Sequence, residues 1–158
     1  MNRLLFGTAL VVGAVMSPMC RADDADDAKA AFSAFQKALE SKDPEKIWPL
    51  LDAKTQADAD KAAAALKTTY GKATAAEKAA LEKAFGLSAD EIKDVTGKVY
   101  LKSKRFVGKY HEIPGSTFDK AVIDGDKATV HYTEEDKDKV KLDLVRKDGK
   151  WKVSIRVD

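Results

Sequence analysis

The chain has 158 residues, enough for one domain with a core of its own and too few for two ordinary ones. It carries 28 Lys and Arg against 26 Asp and Glu, with one Cys and two His. So even a balance gives no electrostatic case for nucleic acid or an anionic membrane as partner. Two His without a second Cys do not make the ligand spacing of a zinc site, so neither metal nor cofactor is expected.

The first 22 residues read as a secretory signal peptide. Met1-Asn2-Arg3 is a short positive start, Leu4 to Met16 is a nearly uninterrupted apolar run, and Cys20-Arg21-Ala22 offers small residues at −3 and −1 of a cut before Asp23. The apolar run is too short for a comfortable membrane span, so no span is expected after cleavage. A lipoprotein acylated at Cys20 is the weaker reading, because bulky Met19 sits just before the cysteine. The mature domain, 23–158, is then exported to a periplasm or the extracellular space. Loss of Arg3 and Arg21 leaves 26 basic against 26 acidic residues and no thiol, so packing alone holds the fold.

Helices are expected over about 26–110. After the acidic Asp23–Asp27 stretch, Ala28, Ala31, Phe32, Phe35 and Leu39 recur at helical spacing. Asp43-Pro44 restarts a short helix that presents Ile47, Trp48, Leu50 and Leu51, with Pro49 bending it. The Ala-rich segment Thr55–Phe85 is broken at Gly71 and restarted by the capping box Thr74–Glu77, with Gly86 as the stop. A second capping box, Ser88–Glu91, opens a further turn or two. Residues 97–110 fit either a strand (Val99, Leu101, Ser103) or a helical stripe (Tyr100, Ser103, Phe106, Val107, Tyr110), and the helix fits better.

Residues 116–157 alternate apolar and polar side chains in four runs, the pattern of a four-stranded antiparallel meander. Asp148-Gly149 predicts a two-residue turn pairing Lys147 with Lys150 and Leu144 with Val153. Parity at the first hairpin favours a three-residue loop, Asp124 to Asp126, which pairs Val122 with Ala128 and Phe118 with Tyr132. Ala121, Ile123 and Val145 are then apolar exceptions on the open face, and they motivate a possible homodimer. The fold class is α+β, with the helices covering the other face.

Ile47-Trp48-Pro49-Leu50-Leu51 after an amphipathic helix, and the run Gly125–Val130 followed by Leu144–Val153, resemble the nuclear-transport-factor-2-like (SnoaL-like, cystatin-like) superfamily, in particular its small exported bacterial members. The resemblance covers about residues 26–52 and 97–157. It implies the fold and a pocket between helices and sheet; the superfamily holds enzymes, ligand binders and interaction domains alike.

Few residues invite chemistry. His131 stands on the polar face, where the expected register sets it opposite Asp119 with Asp143 or Lys141 on its other side, a minimal arrangement for acid–base work. Trp48, Tyr100, Tyr132 and Trp151 could line a pocket beneath the helices, although aromatics at such positions more often simply pack. His111 reads as a loop residue. Phosphate loops and nucleophile elbows are absent. The function expected is non-enzymatic: binding of a partner protein or a small apolar ligand. The alternative is a polyketide-cyclase-like or hydratase-like enzyme using a pocket His or Asp.

Overall fold

Helix α1 (Ala22–Ser41) opens the part of the chain, residues 22–157, that the computed structural model describes. The apolar Leu4–Met16 run, Cys20 and the expected cleavage motif lie outside those residues. The acidic stretch sits within α1, where Asp23 and Asp24 face the positive end of the helix. Ala28, Phe32, Phe35 and Leu39 form its buried stripe and lie against the sheet.

Asp43 caps α2 (Pro44–Ile47), its carboxylate accepting from Glu45 N–H at 2.9 Å, and Pro49 tightens Trp48–Leu50 into a 3₁₀ turn. Helix α3 (Ala53–Lys72) starts on Asp52, which accepts from Thr55 N–H at 2.8 Å, and runs through Gly71 to end one residue later. Two capping boxes then set α4 (Ala75–Phe85) and α5 (Ala89–Lys93), and Gly86 closes α4 at φ +64°, the left-handed conformation glycine adopts without strain. Glu91 also meets Lys102 at 2.7 Å, and Lys102 and the Ser88 cap hold its carboxyl down to about 2.

Residues 97–110 are helical but in two pieces, α6 (Gly97–Tyr100) and α7 (Lys104–Lys109), capped by Thr96 and Ser103. The break lets Tyr100, Leu101 and Phe106 all turn inward.

The sheet is the expected meander, in the order β1 (Thr117–Asp124), β2 (Lys127–Thr133), β3 (Lys139–Lys147) and β4 (Lys150–Ser154). Val130, Leu142, Leu144 and Val153 are buried beneath the helices. The β3–β4 register is the one the sequence implied, with Leu144 opposite Val153 and Arg146 opposite Trp151. The first hairpin differs. Its turn has two residues, Gly125-Asp126, with Gly125 at φ +57°, and Asp124 pairs with Lys127. Phe118 does oppose Tyr132, but a β-bulge at Asp119 shifts everything after it by one: Lys120 faces His131, Ala121 faces Val130, and Ile123 faces Ala128. Val122 is therefore the outward residue, 49% exposed, while Ala121 and Ile123 pack on the core. Two of the three apolar side chains that motivated a dimer through the open face are thus not on it.

The free side of β4 is covered by the chain leaving the 3₁₀ turn. Leu51 bridges Val153 in parallel fashion, and Asp52 N–H donates to the Val153 carbonyl at 2.9 Å. Beyond β4, the buried Thr55 hydroxyl accepts from Ile155 N–H at 3.0 Å and donates to the Ile155 carbonyl at 3.1 Å. These contacts turn the C-terminal residues away from the sheet towards α3, and that departure creates the site described next.

Candidate functional site

Strand β3 has nine residues and β4 only five, so their pairing stops at Asp143 opposite Ser154. Lys139 to Leu142 consequently pair with β2 on one side and have no strand on the β4 side. The chain past Ser154 is held off by Thr55 and by Tyr110, whose hydroxyl donates to the Arg156 carbonyl. The notch this leaves is about 330 Å³, near the lower end of the range for small-molecule sites. Its apolar lining is Ile113, Tyr132, Val140, Leu142 and Ile155; Glu112 and Glu134 bring carboxylates to it, and Lys109, Lys141 and Arg156 border it as cations. Gln36 of α1 fixes the wall segment by donating to the carbonyls of Ile113 (3.0 Å) and Ser116 (2.8 Å).

The polar groups of the notch converge from distant positions. Tyr132 is buried, stacks on Phe32 with ring centroids 5.3 Å apart, and shares a hydrogen bond with Glu134. Desolvation, then the Glu134 charge, raises its pKa, so the phenol remains a proton donor at any working pH. Glu134 begins the tight β2–β3 loop, its N–H donating to the Asp138 carbonyl at 2.9 Å. Desolvation comes first in raising its pKa; the shared hydrogen bond with Glu112, and then the charges of Glu112, Asp136 and Asp138, add to this. Carboxylate oxygens of Glu112, Glu134 and Asp136 lie within 4.8 Å of one another, the one trio of possible metal-ligating groups that converges among the described residues.

A pH effect follows with a definite sign. Because Glu134 titrates above its ordinary value of 4.5 when folded, it stabilises most below that pH, and the contribution fades as pH rises through the folded value. Glu134→Gln removes this dependence. Thermal melts should place variant and wild type close together at pH 4 and the variant higher at pH 7.5; parallel curves would show that folding does not raise the Glu134 pKa.

Most residues singled out from the sequence lie elsewhere. His131 is on the open face between Lys120 and Lys141, not opposite Asp119, because the bulge carries Asp119 out of the ladder. Asp119 accepts from the Thr133 hydroxyl at 2.8 Å and Asp143 from Thr129 at 3.1 Å, so neither carboxylate orients the imidazole. Of the four aromatics, Tyr132 alone lines the notch. Tyr100 is buried against Phe85, and half-buried Trp48 packs at the edge of the core. Trp151 lies under the Arg146 guanidinium, 4.4 Å from ring centroid to carbon, six residues along the sheet from the Tyr132 row, or roughly 20 Å at the strand rise. Arg146 also approaches Asp24 to 2.6 Å, an ion pair by distance whose angle falls outside hydrogen-bond geometry, and it pins the start of α1 to the last hairpin.

Glu112 and Glu134 escaped the sequence reading. Glu134 continues the inward parity of Ala128, Val130 and Tyr132, and an acid at that parity was the available signal. Glu112 carried none, since only the fold brings it across. A wider groove of about 630 Å³ between α3 and α4 is open, with Ala73, Ala80, Leu81 and Ala84 as its apolar lining and Thr68, Thr69, Lys72 and Glu77 as its polar one, and makes the weaker candidate. No protein-family model, curated protein or solved structure matches this chain.

Proposed function

We propose that the protein is an exported, non-enzymatic binding domain of the nuclear-transport-factor-2-like kind, whose notch takes a small, mainly apolar ligand carrying one hydrogen-bonding group. The observation that carries this is the departure of β4 from β3, which leaves an apolar recess with a phenol and a protonatable carboxyl pair inside it. Such a recess combines apolar contact area with a few placed polar groups, the usual make-up of a ligand site. Export rests on the Met1–Ala22 pattern. That His131 points to the open face, is not among the residues lining the notch and has Lys120 and Lys141 across from it weighs against the His-based enzyme.

A second reading has one observation behind it. Glu134, whose pKa is raised first by desolvation and which shares a hydrogen bond with Tyr132, has the environment of a general acid in a hydratase-like reaction. The two readings separate by experiment. Saturation-transfer NMR with benzyl alcohol, benzamide and hexylamine should show binding that Ile155→Lys weakens tenfold or more and His131→Ala leaves unchanged. Turnover of an enoyl or epoxide probe that is lost in Glu134→Gln would favour the enzyme instead. Equal binding in Ile155→Lys and wild type would remove the notch as the site.

A further inference from the structure

The bulge at Asp119 does more than shift the register. Without it an acid would stand opposite His131; with it, Lys120 takes that place, and Lys141 flanks the imidazole from the other strand. Three adjacent strands thus present Lys, His and Lys in one cross-strand row on the same face. Lys120 and Lys141 each stand directly across from His131, so no carboxylate faces the imidazole along this row. The side chains border a surface recess of about 370 Å³, together with Lys139, Thr133 and Asp119.

The lysines are also unneutralised. Among the described residues, none of Lys120, Lys139 and Lys141 has a carboxylate within ion-pair distance. The two acids nearest the row are held by threonine hydroxyls instead: Asp119 by Thr133 and Asp143 by Thr129. Three ammonium groups outweigh the single Asp119 carboxylate at the recess, in a chain whose charge is otherwise nearly balanced.

We propose that the row Lys120–His131–Lys141 is an anion site suited to a small, multiply charged oxyanion such as a phosphate monoester. Ammonium groups on both sides serve as point charges for phosphate oxygens, and the half-buried imidazole between them supplies a ring N–H. The recess opens on the face opposite the helices; Val140 and Lys141 border the notch as well, but the anion site does not depend on the reading given to the notch.

The test titrates the protein with inorganic pyrophosphate and with glycerol 3-phosphate at constant ionic strength, following the His131 ring signals by long-range ¹H–¹⁵N NMR. A saturable shift with Kd on the order of millimolar is expected, weakened tenfold or more in the double variant Lys120→Gln/Lys141→Gln. Both lysines are exposed, so the variant should keep its fold, as far-UV circular dichroism would verify. Co-sedimentation with phosphatidic acid vesicles distinguishes a lipid headgroup from a free ester as the source of the phosphate. A non-saturating shift, an equal affinity in the double variant, or His131 ring signals that do not move would overturn the proposal. So would binding of single-stranded oligonucleotide at this row with no response to either small phosphate.

Discussion

Phe32→Ala should cost about 3–5 kcal/mol, the largest loss expected from any single side chain here. Phe32 is wholly buried on α1, with its ring centroid 5.3 Å from Tyr132 and 6.2 Å from Phe118. It is thus where the first helix, the first two strands and the inner wall of the notch meet. Truncation removes the transfer free energy of the ring and leaves a void that the stiff sheet fills poorly. Against a typical domain stability of roughly 5–15 kcal/mol, the variant should unfold at a far lower urea concentration or fail to fold at 37 °C. Phe32→Leu should recover a good part of the loss. A loss under 1 kcal/mol for the alanine variant would mean that α1 does not cover the sheet as described.

Gly97→Ala should be destabilising by about 2–3 kcal/mol, against the usual trend. Gly97 begins α6 and its φ is not positive, so conformational entropy alone predicts that alanine stabilises by roughly 0.4–1 kcal/mol. The packing reverses the sign. An added Cβ would sit 2.5 Å from Asp60 Oδ1, 2.7 Å from Asp60 N and 2.9 Å from the Ala59 carbonyl carbon. The last two are backbone atoms of α3, which cannot swing aside. The clash would also disturb the bond from Gly97 N–H to Asp60 Oδ1, now 2.9 Å. Chemical denaturation with both Gly97→Ala and Gly108→Ala checks this, since nothing lies within 4 Å of a Cβ at Gly108. Only the first should lose stability; equal behaviour would refute the close α3–α6 contact.

What could be read from the sequence were the features written in local chemistry. The two capping boxes, the Asp43-Pro44 start, the Gly86 stop and the Asp148-Gly149 turn each depend on residues within four positions of one another. The inward faces of β2, β3 and β4 followed from period-two alternation. The bulge at Asp119 was hidden because parity arguments assume an unbroken pleat, and Phe118 and Val122 keep that parity. Ala121 and Ile123, which looked like exceptions, were the sign of the break. Gly97 looked like a simple helix boundary because its reason, a neighbouring backbone 37 residues earlier, has no local signature. The notch was illegible for a similar cause. It arises from strands of unequal length and from Thr55 drawing Ile155 aside, and it brings Glu112 to Glu134 across 22 residues.

The bulge and the early end of β4 give the two sheet faces different chemistry. Between the helices and the sheet edge lies a largely apolar recess that Glu112 and Glu134 border; on the open face lies a lysine-flanked histidine. The central claim is that the recess, and not the histidine, is where the main ligand binds. An amide ¹H–¹⁵N shift map of the labelled protein, titrated with benzyl alcohol and benzamide, tests it most directly. The account predicts saturable shifts gathered on Ile113, Tyr132, Leu142 and Ile155, with none on Thr129 and His131. Shifts confined to the open face, or to the α3–α4 groove around Thr69 and Ala80, would contradict it.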